Sequence, residues 1–368
     1  MKLIILQSNL KNGLETVGRA TADNNNLPIL KNILIKTYNN KIKLSATNLE
    51  LAVTNLISGK IIEEGGITVP FSVLSGIVNN CDSDKINLEV KNNVLNFKTD
   101  NYEANIQGLD EEDFPIIPKI ENDKNFLSIN FDIFKEALLK VLPAIQISDI
   151  RPEISGLLFD FQLTNFKLVG TDSFRLAEKT ILEKDFKTNF PRGFKSIIPL
   201  KTIQEVVRVV NKEDLNIYID PNQILFKNDE LEIISRLIDG YYPDYEAIIP
   251  KELDSECSLN RELFSNAVKL VSNFTGKVND IKIRTKEGKK TVEIYSANQY
   301  FGENNYLIPT KIKGDDFEIS YNWRYLLEGL KNFNSEELIF SVNGDAKPTL
   351  IKSAGDSSYF YLLMPIKS

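Results

Sequence analysis

Apolar residues recur along this chain in two rhythms. Leu10, Leu14 and Val17, then Phe134, Leu138, Val141, Leu142 and Ile145, then Phe264, Ala267, Val268 and Val271 keep the three- and four-residue spacing that lays one apolar stripe along a helix. A second set keeps the same spacing: Phe71 to Val78; Ile203, Val206, Val207 and Val210; Trp323, Leu326, Leu327 and Leu330. Pro143 interrupts one stripe, and a residue without an N–H predicts a kink or an early end there. The other rhythm has period two and is rich in β-branched residues. It covers Ile33 to Tyr38, Ile86 to Phe97, Gly156 to Phe161, Lys167 to Gly170, Leu215 to Phe226, Ile281 to Arg284, Val292 to Tyr295 and Tyr359 to Met364, which read as half-buried antiparallel strands. Strands outnumber helices and do not alternate with them one for one, so the predicted class is α+β.

The elements come in triplicate. ATNLELAV (Ala46 to Val53), GTDSFRLAEK (Gly170 to Lys179) and SANQYFGENN (Ser296 to Asn305) are variants of one strand-turn-strand phrase, with Thr47 and Thr171 124 residues apart and Asp172 and Asn298 126 apart. VPFSVLSGIV from Val69, IPLKTIQEVV from Ile198 and ISYNWRYLLEGL from Ile319 keep the step. EDFPIIP, ending at Pro118, and GYYPDYEAIIP, ending at Pro250, repeat it once more. A period of this length is that of a domain, not of a solenoid. Polar stretches around Glu121 to Asn125 and Lys251 to Glu256 place the boundaries, giving three domains over residues 1–123, 124–251 and 252–368.

Composition narrows the chemistry. The chain has 368 residues, 42% of them hydrophobic, enough for three ordinary cores. It contains no histidine, which removes Ser-His-Asp and Cys-His catalysis and histidine-ligated zinc together. No Gly-rich phosphate loop appears, and no cofactor is expected. Asp110-Glu111-Glu112-Asp113 lacks the spacing of a calcium loop, and its adjacent carboxylates are not held apart as an acid/base pair requires, so it reads as a solvated loop. Cys81 and Cys257 sit in different repeats without CxxC spacing and read as buried thiols. Only Leu3 to Leu6 are continuously apolar near the start, too few for a signal peptide or a membrane span, so a cytoplasmic location and no membrane partner are expected. The net charge of −7 argues against a protein coated in basic charge but leaves room for a local basic face.

LPILKNILI (Leu27 to Ile35), ATNLELAV, TDSFRLA (Thr171 to Ala177), SRLIDGYYPDYEAIIP (Ser235 to Pro250), YLLEGL (Tyr325 to Leu330) and YLLMPIK (Tyr361 to Lys367) together resemble the bacterial sliding clamps, the beta subunits of DNA polymerase III. The match runs in order through the whole chain. The resemblance implies three tandem two-helix, antiparallel-sheet clamp domains in each of two protomers. These form a head-to-tail homodimer, a six-domain ring around duplex DNA with helices facing the hole. It implies a non-catalytic processivity factor. Its partners are double-stranded DNA bound without regard to sequence, the polymerase III catalytic subunit, the clamp loader, and repair polymerases and mismatch-repair proteins carrying short linear motifs.

Two readings of the residues fit that picture. Tandem domains with unlike ends make heterologous interfaces, which close into rings when the rotation allows. In the predicted helix Leu200 to Lys212, Lys201, Arg208 and Lys212 cluster opposite the apolar face, and Arg19, Lys140 and Lys269 point away from their own stripes at comparable places. With the ring, these six become the DNA-facing cations. The resemblance further implies a hydrophobic partner pocket walled by Ile154, Thr171, Phe174, Arg175, Leu176, Pro243, Ile248, Leu362, Met364, Pro365 and Ile366. Aliphatic side chains and a flexible Met suit several partners, with Arg175 and Thr171 as orienting donors. Leu270 and Val271 match one side of the dimer seam and Ile106 the other.

The chain departs from the family pattern at several points. Phe174 replaces a usual His, Ser173 a common Gly, Ala247 a frequent Arg and Ala104 a common Phe, and the terminus reads Ile366-Lys367-Ser368. These predict a bulkier pocket mouth and a looser seam. The alternative is a non-enzymatic scaffold or adhesin of three repeated β-rich modules. The absence of an export signal and the TDSFRLA and LLMPIK phrases count against it.

Overall fold

The structure is a computed structural model that describes residues 1–22, 26–121, 123–211, 214–286, 288 and 290–367. Its contacts divide it into two compact units. One holds residues 1–131, 187–190 and 201–237; the other holds 132–186, 191–200 and 238–368.

In the first unit, five antiparallel strands run in the order Lys60–Glu63, Lys2–Leu6, Lys85–Lys91, Val94–Lys98, Glu103–Gln107. The run Ile86 to Phe97 is thus a hairpin. Asn92 and Asn93 both take positive φ (51° and 59°), the left-handed pair that a two-residue turn needs, and they split the alternating pattern into two strands. Leu215 to Phe226 likewise divides into Asp214–Asp220 and Gln223–Lys227. A nine-stranded sheet joins residues of the first and second repeats. Leu231–Arg236 pairs antiparallel with Leu51–Ile57, Ile233 opposite Val53, and Ala52, Ile120 and Ile234 pack beside that junction.

The second unit repeats the scheme with a four-stranded and a nine-stranded sheet. Here Arg175–Leu182 pairs antiparallel with Asp356–Leu363, so the second and third repeats also share a sheet. Phe134, Phe159 and Phe166 form an edge-to-face and stacked aromatic core on one side of it.

The six stripes become helices α1 (Gln7–Val17), α2 (Phe71–Asn80), α3 (Phe131–Val141), α4 (Leu200–Val209), α5 (Arg261–Val271) and α6 (Trp323–Lys331). The residues of the stripes predicted for α1, α3, α5 and α6 are buried apart from the half-buried Leu142 and Trp323, as are Ile203, Val206 and Val210 in and just after α4. Before Pro143, α3 ends at Val141 and tightens into a 3-10 turn over Leu142–Ala144. α4 stops at Val209, short of the expected Lys212, which lies outside the described residues. The acidic run is a 3-10 turn, Glu111–Asp113, capped by Asp110, with Glu111 paired to Lys36 at 3.1 Å. Cys257 is buried, but Cys81 is only half-buried.

Candidate partner groove, basic residues and seam

The repeated phrase folds into a repeated turn. Thr171 Oγ1 donates to the carbonyl of Arg175 (2.6 Å) and accepts from Ser173 N (3.1 Å), while Asp172 Oδ1 accepts from Phe174 N and Arg175 N (both 3.0 Å). Ser173 takes φ 77°. In the first repeat Thr47 Oγ1 donates to Leu51 O (3.0 Å) and accepts from Leu49 N (3.0 Å), and Asn48 Oδ1 accepts from Glu50 N and Leu51 N (3.0 and 2.8 Å), with Leu49 at φ 76°. Short polar side chains that bond their own backbone hold the turn in both places. The third copy keeps only part of it: Asn298 Oδ1 accepts from Tyr300 N, and the strand resumes at Gly302 with φ 91°.

This turn presents Phe174 to solvent, 60% exposed, and packs its ring 6.5 Å from that of Tyr325. The chain's last strand runs alongside, and Met364 N donates to Phe174 O at 2.8 Å. Below the turn, Leu176 stands directly opposite Leu362, which stands opposite Leu350. These three join Leu158, Val169 and Ile197 in one buried cluster covered by Tyr242, Tyr245 and Ile249. Leu176 and Leu362 are therefore core residues of the sheet, and Ile154 is buried too. The side chains left to line a groove are the exposed Phe174 and Ile248 and the half-buried Pro243, Met364, Pro365 and Ile366.

The two expected donors are already engaged. Thr171 is spent on the turn. Arg175 is buried, its Nε donating to Asp172 Oδ2 (2.9 Å), its Nη1 paired with Glu328, and its guanidinium 4.3 Å from the centre of the Tyr325 ring. Asp172, Tyr325 and Glu328 thus belong to the site although the sequence reading did not assign them. The available signal was the phrase YLLEGL, where Tyr325 and Glu328 stand one helical turn apart on α6. Beside this cluster, Glu178 sits under the same cover. Its Oε2 and the Tyr245 hydroxyl are both buried without hydrogen-bond geometry, and burial holds the Glu178 carboxyl above its ordinary range.

Among the expected cations, Arg19, Lys201, Arg208 and Lys269 are exposed. Lys140 is not: it is buried, paired with Glu136 at 2.9 Å and set over the Tyr359 ring. Its end of α3 is packed, with Lys140 O accepting from Asn332 Nδ2 and the Tyr359 hydroxyl. Arg208 turns to protein partners. It pairs with Glu205 and donates to the carbonyls of Glu15 (2.9 Å) and Thr16 (3.3 Å), capping the negative end of α1. At the expected seam, Leu270 is 55% exposed, whereas Val271 belongs to the core stripe of α5 and Ile106 points inward from its strand, both buried. Neither offers a surface side chain.

Three family models cover nearly the whole chain in order: the N-terminal domain of the DNA polymerase III beta subunit matches residues 1–118, the central domain 128–244 and the C-terminal domain 246–367. The beta sliding clamp of Bacillus subtilis is 26% identical over 384 residues, covering 100% of both chains, and that of Staphylococcus aureus is 25% identical over 362 residues, covering 95% of each. The crystal structure of the DNA polymerase sliding clamp from Bacillus subtilis superposes with a TM-score of 0.93 at 25% identity, covering 100% of this chain and 99% of that one. A putative DNA polymerase III beta subunit from Eubacterium rectale gives 0.92 at 25%, covering 100% of both. With three clamp domains in sequence, antiparallel sheets shared between repeats and a fold matched from end to end, this chain belongs to the DNA polymerase III beta subunit family, the non-catalytic sliding clamps of DNA replication.

Proposed function

We propose that two copies of this chain, each of three clamp domains over residues 1–123, 124–251 and 252–368, close head to tail into a ring around duplex DNA and tether the replicative polymerase in the cytoplasm. The observation that carries this reading is the unbroken order of three family domains along one chain. Charge alone binds DNA with a dissociation constant of about 10⁻⁴–10⁻⁶ M, too loose for long synthesis, and many tight contacts would arrest sliding. A closed ring removes that conflict, because escape requires opening a seam. Arg19, Lys201 and Lys269 are the cations available to phosphates, and Leu270 is the apolar side chain available at the seam.

The groove bounded by Phe174, Pro243, Ile248, Met364, Pro365 and Ile366, with Leu176, Leu362 and Ile154 as its floor, receives short linear motifs of the polymerase, the clamp loader, repair polymerases and mismatch-repair proteins. Phe174 and Met364 give it an adaptable apolar mouth. The test is direct. Size-exclusion mass should be twice 41.8 kDa, and loaded protein should stay on circular DNA but leave linear DNA. Equal loss from both substrates defeats encirclement. Reversing the charge of Arg19, Lys201 and Lys269 together should impair loading, and Met364→Ala should weaken binding of a clamp-motif peptide.

A further inference from the structure

A second feature of the fold lies away from the partner groove and does not depend on the function proposed above. An open groove of about 480 Å³ is lined by the start of α3, the end of the strand Arg175–Leu182 and the turn entering the strand Asp356–Leu363. Lys179 lies in its wall. The half-buried Lys167 and Lys282 of this unit each have a carboxylate close by, Glu246 and Glu318, both at 3.1 Å. Lys179 Nζ instead donates to a neutral hydroxyl, Ser358 Oγ, at 2.6 Å, and no carboxylate stands within ion-pair distance of it among the described residues. Ser358 Oγ in turn donates to Asp356 Oδ1 at 2.6 Å. The result is a chain of three groups, amine to hydroxyl to carboxylate.

We propose that Lys179 is a nucleophilic lysine that takes up short acyl groups from acyl phosphates. A lysine becomes a nucleophile when it sheds its proton at neutral pH, which burial and a neighbouring cation both favour. Burial acts most strongly on Lys179 and the Lys140 ammonium adds to it. Glu136, Asp185 and Asp356 act the other way from farther off, and the balance holds its pKa below the ordinary lysine value. The neutral nitrogen attacks the carbonyl carbon of the acyl phosphate. A C–N bond forms, the C–O bond to phosphorus breaks, and inorganic phosphate leaves with the bonding electron pair. The proton lost from nitrogen passes through Ser358 to Asp356 and on to solvent. Lys184 at the groove's edge attracts the phosphate, and the exposed side chains of Ile133 and Leu182 give the alkyl group an apolar wall. Acylation leaves a neutral amide, which can no longer take up a proton, beside the strand pair that joins the second and third repeats.

The experiment incubates the full-length protein with acetyl phosphate near neutral pH and follows acetylation of each lysine by peptide mass spectrometry. Lys179 is expected to react measurably faster than the exposed Lys201 and Lys269, because a lowered pKa enlarges its neutral fraction at a given pH. Ser358→Ala should lower the Lys179 rate several-fold and leave Lys201 and Lys269 unchanged. The same measurement in urea should erase the preference, which keeps the test decisive if the variant does not fold. Lys179 reacting no faster than the two exposed lysines in the native protein, or keeping its lead in urea, overturns the proposal.

Discussion

Arg175 illustrates what a single residue's surroundings decide. A guanidinium in this sequence position reads as a donor for partners, but the fold buries it and uses it internally, against Asp172, whose side chain is 2% exposed, and Glu328. Removing one member of a buried pair leaves the other charge without compensation, at a cost of about 3–5 kcal/mol. Arg175→Met should therefore destabilise the protein by about that much, read as a lower urea midpoint multiplied by an unchanged m-value, whereas Glu328→Gln, at a side chain 44% exposed, should cost only about 1 kcal/mol. A midpoint for Arg175→Met within error of the parent would show that Asp172 is satisfied some other way. Glu178 gives the opposite sign. Burial raises its folded-state pKa above the ordinary 4.5, so the neutral carboxyl is the form the fold prefers. Stability from this group is complete below 4.5 and is lost as pH rises through the raised value. Glu178→Gln, which mimics the neutral form, should be more stable than the parent at pH 8, with the gap closing on acidification; thermal melts across that range measure it. Neither role could be read from sequence. Residue type announces a charge, but Glu328 lies 153 positions from Arg175, and only the fold brings them together.

At the scale of elements, periodicity carried most of the information, and its errors have particular causes. Stripes at helical spacing located the six α-helices found among the described residues, because burying one face is what stabilises a helix in a domain. Where the reading failed, it asked a residue to serve two faces. Val271 belongs to the α5 core stripe and was also assigned to the seam, and the core prevails because its spacing from Phe264, Ala267 and Val268 leaves it no other direction. Lys140 was placed outward by the same geometry, but α3 ends against Tyr359 and Asn332, and packing covers its outer face. Turns are read least well: Asn92 and Asn93 follow Lys91 as a polar triplet and shift the phase of the alternation from Val90 to Leu95, yet the reading by periodicity treats the run as one strand. Packing also explains Gly329 in the middle of α6. A Cβ there would stand 2.5 Å from the Tyr361 ring, whose hydroxyl is anchored to the Tyr325 carbonyl at 2.9 Å. Gly329→Ala improves intrinsic helix propensity by about 1 kcal/mol, yet it should destabilise the protein by a net 1–2 kcal/mol or so, because the overpacking cost is larger. A chemical-denaturation midpoint at or above that of the parent would contradict this packing account.

For the whole molecule, the repeat period and the compact units answer different questions. The period counts copies of an ancestral phrase, whereas compactness follows strand pairing, and the pairing of Leu231–Arg236 with Leu51–Ile57 and of Arg175–Leu182 with Asp356–Leu363 draws strands of the middle repeat into both nine-stranded sheets. Continuous sheets of this kind leave no unpaired strand edge between neighbouring repeats, so the chain resists coming apart there, and a ring of two such chains is weakest where the two copies meet. That difference has a kinetic signature. A protein holding DNA by about six to ten phosphate contacts alone loses roughly 10³–10⁵ in affinity between 50 and 200 mM salt. For this acidic chain, with Lys140 buried and Arg208 occupied by α1, the contact term is smaller still. Its half-life on nicked circular DNA should therefore change little over that salt range, while release from a linearised copy should be fast at both concentrations. Initial capture of DNA, for which Arg19, Lys201 and Lys269 are the proposed contacts, should slow steeply as salt rises. A circular-DNA half-life that falls in parallel with capture would mean that the cations, not the closed seam, hold the complex together.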